Sequence, residues 1–160
     1  MEQKPNRIIV HHSAVAGDRP QFLDINAYHE SRGFPKSSLG YFGGYHYLIE
    51  KTGLVFHYRN ETETGAHDSN ENMHSIGICL SGNFNAELPT AGQETALASL
   101  LDGIMARWNI QIDRIDPHRW GDTTDCPGTR LSDMWARAVY LQKKINWLKY
   151  LILWLQKRTP

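Results

Sequence analysis

Two stretches of this chain carry residue types whose spacing could do chemistry. "PHRWGDTTDCPG" sets His118 and Cys126 eight residues apart in a run rich in Asp, Pro and Gly, and "IIVHHSA" ends an apolar run on His11 and His12. A thiolate and two imidazoles suit a zinc ion, and three protein ligands leave a fourth position for water. Closed structural zinc sites usually use tighter pairs such as C-x-x-C, which this sequence lacks. The spacing therefore argues for an open, catalytic centre. Cys79, the other cysteine, lies in the buried-strand pattern "HSIGICLSG" and reads as a small core residue. Two cysteines in a chain this long do not make a disulfide framework.

The elements that must position these side chains follow from periodicity. "RIIVHHSA" predicts a buried strand, and alternation sends His11 and His12 to opposite faces of it. "FLDINAYHESRG" predicts a helix that stops at Gly33. "YHYLIEKTGLVFHYR" predicts a hairpin about a Lys-Thr-Gly turn, and "SIGICLSG" a further strand. Leu97, Leu100, Leu101, Ile104 and Met105 follow the 3.6-residue period behind Thr90, a candidate N-cap. "IQIDRI" is a short strand candidate, and from Leu131 the pattern is helical almost to the end. Alternating strands and helices predict an α/β fold.

The 160 residues suffice for one domain with a real core. Net charge is zero, which gives no global argument for nucleic acid, yet six of the seventeen basic residues follow Asp133, the last acid. Residues 1–133 therefore carry a formal −6. "MEQKPNRIIV" has no apolar run after its basic residues, so no secretory signal is expected, and no 18-residue apolar segment predicts a membrane span.

"IIVHHSA", "GGYHYLIEKTG", "HSIGICLSGNF" and "PHRWGDTTDCPG", in that order between about Arg7 and about Lys143, resemble the type-2 N-acetylmuramoyl-L-alanine amidases. These include phage lysozyme-type amidases and peptidoglycan recognition proteins. The resemblance implies a mixed central β-sheet flanked by helices, a single domain with a zinc-containing groove. It implies one Zn2+ per chain on His11, His118 and Cys126, with His12 behind the site, and Tyr45 and Thr124 as catalytic residues. The implied partner is peptidoglycan, and the implied reaction is hydrolysis of the amide between N-acetylmuramic acid and L-alanine. Members that recycle 1,6-anhydro-muropeptides typically carry Asp for the cysteine after a longer gap, so Cys126 points to cleavage of the intact wall. A phage or prophage endolysin is expected, held in the host cytoplasm until it is released onto the periplasmic wall. The rival readings are a peptidoglycan-binding protein without turnover, which usually lacks the cysteine or tyrosine, and an amidase that also regulates a polymerase.

Other residues are read on their own. His67, a loop histidine among small neighbours, is a candidate for lining the groove and touching substrate. His46 reads as sheet packing, and His29, His57 and His74 as structural or surface residues. Asp116 or Asp122 could orient a ligand imidazole. The resemblance divides the chain into an amidase domain, 1–143, and an extension, 144–160. On a helical wheel the extension gathers Leu and Trp on about half the circle and Lys, Asn and Gln on the other, with Lys144 and Leu153 as exceptions. It is expected either to pack on the core as an extra C-terminal amphipathic helix or to lie on an anionic membrane surface.

Overall fold

Short β-branched runs close into a sheet here, and the segments of helical period cover it. The computed structural model describes residues 3–157. Among these, β1 (Arg7–His12), β2 (Tyr47–Ile49), β3 (Val55–His57), β4 (Ser75–Leu80) and β5 (Ile115–Pro117) form one sheet in the order β3-β2-β4-β1-β5. β1 runs parallel to β4 and β5, and β2 parallel to β4. β3 is antiparallel to β2, the hairpin expected about the Lys-Thr-Gly turn. The sheet is mixed and flanked by helices, in agreement with the expected fold class.

The interior strands β1 and β4 are covered on both faces, which is why they read as nearly unbroken apolar runs. On one face Ile8, Val10, Ile76, Ile78 and Leu80 pack under Leu97, Leu101 and Ile104 of α2 (Ala91–Trp108). Trp135, Val139 and Tyr140 of α3 (Trp135–Gln156) close the edge of that layer. The other face carries α1 (Phe22–Ser31), whose Phe22 stacks on Tyr58 and Phe56 over Leu48 and Cys79. Cys79 is fully buried there, as its pattern predicts.

Helix ends are held by side chains at both faces. Thr90 caps α2 in a reciprocal capping box with Gln93, and Gln93 also donates to the carbonyls of Ile49 and Ser81. α1 has no cap from its own Gln21 side chain. Instead the buried carboxylate of Glu50, just past β2, accepts from the amides of Gln21 (2.7 Å) and Phe22 (2.9 Å) and from the Ser81 hydroxyl (2.5 Å). A carboxylate at a helix N-terminus is favoured by the exposed amides and the helix dipole.

Two element boundaries differ from expectation. "IQIDRI" is not a strand throughout. Ile112–Arg114 forms a 3-10 turn, and pairing begins only at Ile115, opposite Ile8. Asn109 ends α2 in the left-handed conformation and turns Ile110 into the core, so the chain spends the next residues rounding the helix end. α3 starts at Trp135 rather than Leu131, because the Leu131 carbonyl accepts from the Arg119 guanidinium instead of a helical amide. α3 then runs through Lys143 and Lys144 without a break. Lys143 donates to Ser99 and Lys144 pairs with Asp102, while most of the helix beyond them is exposed.

Glu50→Ala would strand two buried amides and a hydroxyl. It should lower unfolding free energy by about 2–4 kcal/mol, whereas Glu50→Gln should cost less. Urea unfolding of the three proteins checks this, and an unchanged midpoint for the alanine variant would contradict the role given to Glu50.

Candidate metal centre and active site

β1 and β5 are parallel neighbours with Val10 opposite Pro117, so His11 and His118 leave adjacent strand ends at the same level. The loop after β5 then returns Cys126 to them. The His11 Nδ1 and Cys126 Sγ atoms lie 3.7 Å apart, and one donor atom from each of His11, His118 and Cys126 falls within 4.8 Å of the others. Ligands at zinc distances of 2.0–2.1 Å for nitrogen and 2.3 Å for sulfur, at a tetrahedral angle, would be separated by about 3.6 Å. The donor set fits a zinc-sized ion. His12 points the other way, its Nδ1 accepting from the Phe84 amide, while its own amide donates to Cys126 Sγ at 3.4 Å.

His11 and the Cys126 loop are held from behind. His11 Nε2 lies 3.1 Å from His67 Nδ1, and His67 Nε2 is 3.5 Å from the Ser75 hydroxyl, which donates to the Glu71 carbonyl. With the Ser75 proton committed to Glu71, His67 donates through Nε2 and accepts through Nδ1, so His11 donates through Nε2 and keeps the Nδ1 lone pair toward Cys126. The His67 ring fits because position 77 is glycine: a Cβ there would meet the ring at 2.4 Å. His118 Nε2 lies 3.9 Å from the buried Asp68 Oδ2, and neither atom has a hydrogen-bond partner. The Cys126 loop is gathered by Arg119, whose guanidinium donates to the carbonyls of Gly128 (3.2 Å) and Leu131 (2.7 Å) and pairs with Asp133. Gly128 has φ +121°, and a Cβ on it would strike the Phe84 backbone at 2.5 Å. The loop can therefore seat only with glycine after Cys126-Pro127.

A groove of about 440 Å³ lies beside the donors, reached through Tyr45, and none of the three donors is in its lining. Tyr45, His29, Ile25 and Tyr28 line it, with Ser13 and Gln21 at the β1 end. The Tyr45 ring sits 5.1 Å from the His11 ring and 5.6 Å from the His29 ring. His29 is fixed by stacking on Phe34 and by accepting from the Gly44 amide. Thr124 is exposed on the metal loop, its hydroxyl accepting from the Cys126 amide at 3.2 Å.

Residues 1–129 match the family described as N-acetylmuramoyl-L-alanine amidase. The chain belongs to that family. Peptidoglycan-recognition protein SC2 of Drosophila melanogaster is 36% identical over 131 residues, 77% of this chain and 68% of that protein. The endolysin of Escherichia phage T7 is 28% identical over 142 residues, 84% of this chain and 88% of that protein. Among solved structures, the N-acetylmuramoyl-L-alanine amidase LysC from Clostridium intestinale URNW superposes with a TM-score of 0.73 at 32% identity, over 85% of each chain.

This amidase-family chain brings His11, His118 and Cys126 together, with Tyr45 beside His11 and on the groove wall and Thr124 on the adjoining loop. His67 is not on the groove wall. It is buried beneath His11, in the slot left by Gly77, with its Nδ1 3.1 Å from His11 Nε2. Neither Asp116 nor Asp122 faces a ligand imidazole at hydrogen-bond distance: Asp116 pairs with Arg137 and Arg7, and Asp122 caps its own loop at Thr123. Asp68, next to His67 in sequence, faces His118, but at 3.9 Å it too lies beyond hydrogen-bond distance. Sequence reading also missed His29 as a groove residue, because α1 shows only a weak apolar stripe, although a histidine on the inward side of an amphipathic helix was a usable signal.

Electrostatics keeps the site's imidazoles neutral. Burial first, then His67 and His118, hold His11 well below the usual histidine range. Burial, then His46, does the same to His67. Burial lowers His118 too, against the pull of Asp68. Burial pushes the Cys126 thiol up to about 12, opposed by the His12 amide and Arg119. Tyr45 is raised well above its ordinary value by burial and by Cys79 and Cys126, so its hydroxyl keeps its proton, which is engaged with the buried Cys79 thiol.

Two outcomes follow from this arrangement. His67→Ala should weaken zinc binding ten- to hundredfold by freeing the His11 ring, as a competition titration against a chelator would read. His29 and His46 titrate at about 4 in the folded protein, chiefly through burial, against an unfolded value near 6.5. Their contribution to stability is complete above pH 6.5 and is lost as the pH falls toward 4, because the unfolded chain binds protons first. Unfolding free energy should drop by roughly 2–4 kcal/mol between pH 7 and 5; a flat urea midpoint over that range would contradict it.

Proposed function

We propose that this protein is a zinc-dependent N-acetylmuramoyl-L-alanine amidase that cuts the amide between N-acetylmuramic acid and L-alanine in peptidoglycan, acting as a phage or prophage endolysin. The observation that carries the reading is the convergence of His11, His118 and Cys126 beside a protonated Tyr45 that lines an open groove. Zinc, when bound, supplies Lewis acidity and lowers the pKa of a water toward neutrality. The residues do the rest. His11, His118 and the Cys126 thiolate would hold the ion, with His67 fixing the His11 ring. The groove would hold the lactyl carbonyl against Tyr45, whose hydroxyl donates to the oxygen as negative charge develops on it. Thr124, held by the Cys126 amide, still has its own hydroxyl proton to direct at the attacking water or at the same oxygen.

The likeness to peptidoglycan-recognition proteins leaves binding without turnover as the rival. A donor set complete enough for an ion, with one coordination position open, favours hydrolysis over binding alone. The endolysin role draws on the phage T7 relative, and with it an enzyme made in the host cytoplasm and used on the wall outside the inner membrane.

Digestion of purified peptidoglycan should expose new L-alanine amino termini without new reducing sugar ends; reducing ends appearing in step with solubilisation would make the enzyme a glycosidase. Cys126→Ala should lose both tight zinc binding and activity. Tyr45→Phe should keep zinc and lose about 10²–10³ in turnover, the usual effect of removing one oxyanion donor. A Tyr45→Phe enzyme of normal rate would remove that residue from the reaction.

A further inference from the structure

Beyond Lys144, α3 leaves its packing against α2. Ile145, Trp147, Leu148, Ile152 and Leu155 are each between 46% and 59% exposed. At 100° per residue these five, with the half-buried Leu151, sweep about half of the helix circumference. Asn146, Lys149, Gln156 and Lys157 occupy the opposite arc, interrupted only by Leu153. Trp147 stands at one border between the arcs, and Tyr150, 74% exposed, just beyond it. Rings with an apolar body and a polar tip belong at such a border when a helix lies in a lipid interface. An apolar arc of this width is uncommon on an isolated soluble domain.

Charge decides what covers it. Asp133 is the last acid, so the whole of α3 is without one. Arg137 and Lys144 are matched by Asp116 and Asp102 on the domain. Lys149 and Lys157 have no carboxylate at salt-bridge distance among the described residues, and Arg158 follows them in the sequence. A second copy of the helix would bring cations against cations, with no acid on either to flank the apolar seam as helix pairs require. A surface of anionic headgroups over acyl chains answers both arcs at once. Residues 145–157 make only about 20 Å of helix, short of a hydrocarbon core of ~30 Å. Among the described residues no helix is long and apolar enough to cross a membrane.

We propose that residues 145–157 dock this protein flat on an anionic phospholipid surface, a role independent of the amidase reading. The test uses the full chain, sedimented with vesicles of phosphatidylglycerol and phosphatidylethanolamine and, separately, of phosphatidylcholine. The protein should pellet with the anionic vesicles only, and raising salt from about 0.1 to 0.5 M should weaken that binding severalfold. The double variant Leu148→Glu/Ile152→Glu should lose at least tenfold in vesicle binding, with an unchanged thermal midpoint and unchanged digestion of isolated peptidoglycan. Lys149→Glu/Lys157→Glu should lose the preference for anionic lipid. Equal pelleting with both lipids, or wild-type binding by the double variant, would overturn the proposal. So would a dimer in sedimentation equilibrium that the double variant dissolves without any vesicle binding, which gives the face to a second copy. A clear fall in the double variant's thermal midpoint would overturn it as well, because the arc would then be packed on the domain.

Discussion

Everything at the groove depends on one pairing: β1 beside β5, parallel, with Val10 opposite Pro117. That register brings His11 and His118 out at one level on neighbouring strands, about as far apart as two ligands of one ion must be. A slip of one residue would turn one of the rings to the far side of the sheet. The register is itself secured by the apolar side chains that flank it. Ile8 and Ile115 are buried partners under α2 and α3, and Arg137 of α3 ties to the Ile115 carbonyl and to Asp116. The helices on the far face thus fix a geometry used on the near one.

The near face is unusual in how much polar chemistry it buries, and nearly every group there is answered. His46 accepts from the Gly77 amide and contacts the Glu63 carbonyl and Gln3. Arg59 spends its guanidinium on the carbonyls of Gly43 and Pro35. Six side-chain atoms among the described residues are buried without a partner, and two of them, His118 Nε2 and Asp68 Oδ2, face each other. Burial without partners is costly, so a polar gap beside the candidate ligands is itself a mark of a functional place.

How much of this was legible beforehand varies with range. The strands, the hairpin, α2 with its Thr90 cap, and the split of His11 from His12 could all be read from local pattern, since alternation and capping are properties of short segments. The candidate ligand set needed the order of four motifs across the chain. What could not be read were the contacts between segments remote in sequence. Glu50 capping α1, His67 reaching beneath His11, and Asp68 facing His118 each depend on a loop closing over the sheet. Periodicity carries no information about such closure. The 3-10 turn at Ile112–Arg114 was missed for a similar reason: "IQIDRI" alternates like a strand, but the chain must first round the end of α2.

Glu50 has a further consequence. Its two oxygens join the start of α1, the end of β2 and Ser81 after β4, so one wall of the groove is bolted to the sheet at a single buried point. The opposite rim, Ser13 to Pro20, is exposed along almost its whole length. The groove therefore has one side anchored in the core and one side held by surface contacts: Gln21 Nε2 donates to the Val15 carbonyl, Asp18 pairs with Lys51 and Arg19 with Asp24.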